Sequence, residues 1–266
     1  MSEVRTRILV SAILVPIALF ALYYGGIPII IALGLVSSIG SFEYITMMRK
    51  AGIRIPFYWV GISILQYLAM VYQPNFDLLL IISVLLISLI EAIIVWDNSK
   101  SIIRMFVNNF GVFYTAVFPA IIVRISQHKQ NSNILLALIL MIWIVDSTAY
   151  FIGTKIGKNR NVTAISPRKS LEGFIAGALA PWLVLVILLV SGLSFVPLRF
   201  MVLIALAAGI FGQLGDLVES MLKRFCDVKD SSNLIPGHGG ILDRSDSILL
   251  AGSFLYCAME ILTKVR

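Results

Sequence analysis

Charge is scarce in this chain: Asp, Glu, Lys and Arg make up 13% of 266 residues, against 59% in the apolar class and a mean hydropathy of +0.96. A soluble domain carries roughly 25% charged residues, so water cannot be the solvent for most of this surface. Cysteine is nearly absent. Cys226 falls in a polar loop and Cys257 inside an apolar run, which argues against a disulfide framework. No cleavable signal peptide is expected, because the first apolar stretch, residues 8–24, is long for a signal h-region and lacks a small-residue cleavage site. No internal repeat stands out. The net charge of +7 does not call for nucleic acid as a partner. In a chain this apolar it reflects loops retained in the cytoplasm, or anionic ligands and lipids.

What the chain does have is a succession of apolar stretches close to the ~20 residues that cross a bilayer core as a helix. They run approximately over 8–24, 27–46, 56–73, 76–96, 103–123, 134–153, 171–192, 199–218 and 247–264. The expected fold is an all-α integral membrane protein, a polytopic bundle of about nine transmembrane helices. The fifth stretch is the weakest, because Asn108 and Asn109 sit near its start. Residues 1–125 form an N-terminal group of about five spans. Residues 126–266 form a C-terminal region expected to hold the catalytic site, with polar loops at 154–170 and 219–246.

The basic residues orient this arrangement. With the N-terminus inside, sixteen of the 21 Lys and Arg fall on the inside and five (Arg124, Lys129, Arg199, Lys264 and Arg266) on the outside. That bias places the N-terminus and both long loops in the cytoplasm. Glu43, Glu91, Asp146, Glu172, Asp216 and Glu219 all lie at inner span ends, while Asp77 and Glu260 lie elsewhere. Glu43 and Glu91 read as acids that pair with nearby bases. The others sit among residues that suggest more, since an acid within a span is costly and marks function.

Asp146, Ala149, Tyr150 and Gly153 share one helix face, either for chemistry or for close helix packing. Ser166 can cap a helix beginning at Pro167, whose free N–H groups, with Arg168 and Lys169, would attract an anion. Asp216, Ser220 and Lys223 line one stripe of the eighth span, and a plain acid–lysine pair is the bland alternative there. Asp243 and Asp246, three apart at the start of the last helix, suit a hard divalent ion, or Asp243 or Ser245 only caps that helix. Gly237, Gly239 and Gly240 permit close backbone approach to a ligand, and His238 between them is a candidate ligand contact.

These residues fall into a pattern. Ser220-x-x-Lys223-Arg224, Lys229-Asp230 and Pro236-x-His238-Gly239-Gly240-x-x-Asp243-Arg244-x-Asp246 closely resemble the motif of the phosphatidate cytidylyltransferase (CDP-diacylglycerol synthase) family. Asp146-x-x-Ala149-Tyr150, Ser166-Pro167-x-Lys169-x-x-Glu172-Gly173 and Gly212-Gln213-x-Gly215-Asp216-Leu217-x-Glu219-Ser220 are similar to further family motifs. The resemblance covers residues 143–246 position by position and the N-terminal half by hydropathy. Ser245 and Ser170 depart from the usual residues without changing charge. The resemblance implies condensation of phosphatidic acid with CTP, giving CDP-diacylglycerol and pyrophosphate, with Mg²⁺ (one ion or two) as cofactor. It also implies a homodimer. Asp216, Lys223, Asp243 and Asp246 would be the catalytic group, and Asp146, Asp216, Asp243 and Asp246 the metal ligands. Ser166, Lys169, Ser220, Arg224, Lys229, His238, Gly239, Gly240 and Arg244 would bind substrate.

Two other readings compete. A CTP-dependent polyprenol kinase of the dolichol type shares looser versions of these motifs. An ion-coupled transporter would place its ionisable groups near the bilayer midplane on broken helices, whereas these acids gather at inner span ends.

Overall fold

In the computed structural model, residues 3–127, 133–160, 163–193 and 196–264 are described. Lys129 and Arg266, two of the bases counted above, lie outside them. The described residues form helices: α1 (Glu3–Tyr24), α2 (Gly26–Lys50), α3 (Tyr58–Tyr72), α4 (Asp77–Ile94), α5 (Asn98–Val112), α6 (Phe118–Gln127), α7 (Ile134–Lys155), α8 (Leu171–Ser191), α9 (Leu198–Leu206), α10 (Gln213–Phe225) and α11 (Leu242–Lys264). A π-helical turn, Phe113–Val117, joins α5 to α6, and another, Ala207–Gly212, joins α9 to α10. Each pair is therefore one rod, Asn98–Gln127 and Leu198–Phe225.

The nine expected stretches thus appear as nine rods among the described residues, eight of them long and apolar enough to cross a membrane. The exception is α3, with 15 residues, a length of roughly 22 Å. Its two ends nonetheless reach two separate polar layers. Trp59 Nε1 at its start donates to Glu91 at the end of α4, 2.7 Å away. Near its end, the Met70 carbonyl accepts from Arg124 Nη2 at 2.6 Å, and Arg124 also pairs with Asp77 at the start of α4. The fold is a polytopic membrane bundle.

Two boundaries differ from expectation. Helix α10 runs to Phe225 and α11 begins at Leu242, so the expected 219–246 loop shrinks to residues 226–241. The 154–170 loop shrinks to 156–170. Hydropathy stops counting where charge begins, but helical hydrogen bonding continues. Lys223 and Arg224 favour the extension because cations are stabilised at a helix C-terminus. Asn108 and Asn109 do not interrupt their helix. Asn108 donates to Glu91 at 3.3 Å and Asn109 to the Ser88 hydroxyl at 2.6 Å, so the NH₂ group of each amide is partnered between helices. Cys226 is buried and Cys257 exposed; both are free.

Helix α11 is the hub, packing against α2, α6, α7, α9, α10 and the second π turn. Small residues let the helices approach closely, as expected where lipid supplies no hydrophobic drive between them. A methyl group on Gly173 of α8 would stand 2.7 Å from the Ala149 carbonyl and 3.0 Å from Gly153 Cα of α7. The small-residue face of α7 is therefore a packing face. Tyr150 is not part of it, being 67% exposed on the bundle's periphery.

Candidate active site

The site grows from one close contact. A Cβ built on Gly215 would stand 3.0 Å from Ser247 Cα and closer still to the Asp246 carbonyl. The backbones of α10 and α11 thus touch, and Asp216 and Asp246, on either side of the contact, are brought together. The π turn before α10 assists. It sets Gln213 Nε2 to donate to Gly209 O at 2.6 Å and to Phe174 O of α8 at 3.2 Å, which locks the rod's rotation. The charges of Asp146, Asp216 and Asp246 act on one another across α7, α10 and α11.

Bases answer these acids. Lys169, from the loop before α8, donates to Asp216 Oδ2 at 2.5 Å, and the Ser220 hydroxyl lies 3.3 Å from Asp216 Oδ1. Lys223 does not pair with Asp216. It forms the intrahelical ion pair with Glu219 and also donates to Asp243 Oδ1 at 2.6 Å. Glu219 is fully buried and accepts no other described hydrogen bond. The second oxygen of Asp243, Oδ2, accepts from Ser231 N, Ser231 Oγ and Gly240 N at 2.8, 2.9 and 2.8 Å. With four donors, Asp243 is occupied in holding its loop. Among the described residues, Asp246 Oδ1 accepts only the Ser247 amide, at 2.7 Å.

The loop before α8 is built differently from expectation. Ser166 does not cap the helix, and Pro167 lies in a turn. Ser170 is the N-cap, its hydroxyl accepting from Gly173 N at 3.1 Å. The Leu171 amide donates to Asn159 O at 3.0 Å, so the N–H groups expected to attract an anion are partly spent. Glu172 reaches back to Asn159 Nδ2 at 2.8 Å, folding the loop over the helix end. That loop carries Lys169 to Asp216, and Arg224 Nε donates to its Ile165 carbonyl at 3.3 Å.

The glycine loop also turns inward. A Cβ on Gly239 (φ +83°) would lie 2.6 Å from Asp243 Oδ2, and one on Gly240 would lie 2.5 Å from Glu43 Oε1. These glycines make room for the protein's own carboxylates. His238 Nε2 lies 3.1 Å from Ser11 Oγ of α1, and its carbonyl accepts from Arg244 Nε at 3.0 Å. Histidine therefore meets the first helix. Lys229 and Arg244 are exposed.

Sequence reasoning read Glu43 as an acid that pairs with nearby bases and missed its role, since its partners are hydroxyls and backbone amides. Buried on α2 at 2% exposure, it accepts from Ser231 Oγ (3.0 Å), Ser232 Oγ (2.5 Å), Ile241 N (3.0 Å) and Leu242 N (3.0 Å). Its only local signal was an acid near a small residue, Gly40, at a span end. Beside it, Ser38, Ile39, Phe42, Ser232 and Leu234 line an open groove of about 480 Å³.

Among the described residues no three acidic, His or Cys side chains are drawn together tightly enough to hold a metal ion by themselves. Asp146, Asp216 and Asp246 nevertheless present carboxylates that the protein leaves partly free, and an ion such as Mg²⁺ takes much of its shell from water and phosphate oxygens. A set of that kind fits an ion that arrives with a phosphorylated ligand.

The sequence model of the cytidylyltransferase family matches residues 5–262. The chain belongs to the cytidylyltransferase family. It is 34% identical to a phosphatidate cytidylyltransferase of Bacillus subtilis (strain 168), over 96% of this chain and 97% of that protein. It is 31% identical to a phosphatidate cytidylyltransferase of Thermotoga maritima, over 100% and 99%. The protein of that name from Haemophilus influenzae is 31% identical over 93% of each chain. Cytidylyltransferase similarity therefore extends through the N-terminal helices, which hydropathy alone had linked to the family.

Proposed function

We propose that the chain is a phosphatidate cytidylyltransferase, which transfers the cytidylyl group of CTP to phosphatidic acid and releases pyrophosphate. The observation that carries this reading is the backbone contact at Gly215, which sets Asp216 beside Asp246 with Lys169 and Lys223 at hand, at one end of a membrane bundle. An anionic oxygen of the lipid phosphate attacks the α-phosphorus of CTP. The bond from that phosphorus to the β-bridging oxygen breaks, and pyrophosphate leaves with the electron pair. The nucleophile is already ionised, so no Ser, Cys or general base is required; the protein's task is to align two anions and offset their charge.

Lys169 serves from its loop, poised on Asp216. Arg224, Lys229 and Arg244 are exposed at the same end and offset the triphosphate and the lipid phosphate. Lys223 is held between Glu219 and Asp243, so it orders the site more than it greets substrate. Asp146, Asp216 and Asp246 would hold one or two Mg²⁺ ions, which when bound neutralise phosphate charge and polarise a phosphoryl oxygen. Asp243 would join them only by giving up part of its loop contacts. Of the other substrate-binding candidates, Ser220 stands beside Asp216, while Gly239 and Gly240 shape the loop around Asp243 and Glu43 and His238 faces Ser11. The excess of basic residues at the site end supports placing the active site and the N-terminus in the cytoplasm, where CTP arrives from water while acyl chains stay in lipid. The family resemblance supports a homodimer, which size-exclusion with light scattering in detergent would test.

Purified protein in detergent, given phosphatidic acid, labelled CTP and Mg²⁺, should move label into CDP-diacylglycerol, and EDTA should stop it. Label appearing as CDP with a phosphorylated alcohol would establish a polyprenol kinase instead. Folded protein that consumes no CTP would overturn both.

A further inference from the structure

Nothing in the reaction as described above uses Glu43, yet this buried carboxylate joins the two halves of the chain. We propose that Glu43 is a positioning residue for cytidylyl transfer: from α2 it caps α11 in trans and latches the 226–241 loop, keeping Asp243 and Asp246 in register with Asp216. The inference rests on the cytidylyltransferase reading of the site.

A helix leaves its first N–H groups without intrahelical partners, and a carboxylate is the strongest common acceptor for them. At α11 that acceptor comes from a residue 199 positions away from Leu242. Glu43 accepts the Ile241 and Leu242 amides, while Asp243 folds back to take the Gly240 amide. Together the two carboxylates fix the turn that opens α11 at Leu242, four residues before Asp246. They also share a donor: the Ser231 hydroxyl lies 3.0 Å from Glu43 Oε2 and 2.9 Å from Asp243 Oδ2. Ser232 adds a further bond to Glu43 at 2.5 Å. The chain runs from α2 through Ser231 to Asp243 and on to Lys223. Gly240 has no room for a side chain beside Glu43 and Ser231, so the loop packs directly on the carboxylate.

Glu91 supplies the contrast. It lies at the same end of the bundle and is also bonded between helices, but its partners Trp59, Asn108 and Arg104 all belong to α3 and α5. Its removal loosens the N-terminal helices without touching the loop.

The test compares Glu43→Gln with Glu91→Gln. Glutamine keeps the size of Glu43 but turns an NH₂ group toward donors. Expected for Glu43→Gln is a kcat lower by about 10–100-fold, as for misplaced catalytic groups, with both KM values within about threefold of wild type. Hydrogen exchange should quicken at residues 231–242 only. Glu43→Asp, which retains both acceptor oxygens, should recover part of kcat. Glu91→Gln should lower the unfolding midpoint with kcat kept. A wild-type kcat in Glu43→Gln, or an activity loss with faster exchange throughout the bundle, would overturn the proposal. If Glu43→Gln does not fold, Ser232→Ala is read in its place: a lower kcat with local exchange supports the latch, and no change in either refutes it. If wild-type protein makes no CDP-diacylglycerol, the functional reading fails, while the exchange pattern still decides whether the latch exists.

Discussion

Substituting Gly215 by alanine isolates the contact on which the site depends. The new methyl would stand 3.0 Å from Ser247 Cα and nearer to the Asp246 carbonyl. Carbon atoms in good contact stand ~3.5–4.0 Å apart, so α10 and α11 must part by roughly 0.5–1 Å. Both neighbours are backbone atoms, and no side chain can rotate away. Overpacking of this kind costs about 1–3 kcal/mol, while replacing a helical glycine by alanine returns about 1 kcal/mol through propensity. The net stability change is therefore small, between about 0 and 2 kcal/mol of loss. The effect on rate is larger, because a displacement of ~1 Å between catalytic groups costs about 10²-fold. Initial rates of CDP-diacylglycerol formation, measured alongside thermal unfolding in the same detergent, should show a large fall in kcat with a modest shift in midpoint. Gly61→Ala is the control, since its Cβ would meet nothing within 4 Å; it should be as stable as wild type or slightly more so, and fully active. A Gly215→Ala protein that is more stable than wild type and turns over normally would refute the argument.

Other substitutions separate chemistry from scaffold. Asp246→Asn should abolish turnover and leave the unfolding midpoint near wild type; near-normal activity would remove Asp246 from the reaction. Lys223→Met strands Glu219 and removes one of the four donors to Asp243, side chains that are 1% and 4% exposed, and should cost about 3–5 kcal/mol. Adding Glu219→Gln should restore part of that stability but not the rate, as read from unfolding midpoints and CTP turnover. Arg124→Gln at the opposite polar layer breaks the pair with Asp77 and the bond to Met70 O. It should lower stability by a smaller ~1.5–3 kcal/mol, since Asp77 is a third exposed to solvent, while the folded protein keeps its kcat.

The sequence carried far in some places and misled in others, for identifiable reasons. Asn108 and Asn109 counted against the fifth span because hydropathy prices an amide as if it met lipid, whereas Glu91 and Ser88 receive them. Ser166 and Ser170 are both acceptable caps by local rules, and the choice of Ser170 depends on the loop folding back so that Glu172 reaches Asn159. Lys223 sits at a spacing that suits a pair with Asp216. The pair forms instead with Glu219, one turn away rather than two, and Asp216 is met by Lys169.

The sequence by itself determined the solvent of the fold, the nine helical segments and the family to which the chain belongs, since apolar run length and polar motif composition are local properties of the chain. Only the tertiary structure decided which acid meets which base. It showed that the glycines beside His238 admit the protein's own carboxylates, that His238 meets α1, and that Glu43 closes the loop from 199 residues before Leu242. Those pairings depend on how closely helices remote in the chain can approach, and no periodicity or spacing records a distance between residues that sequence keeps apart.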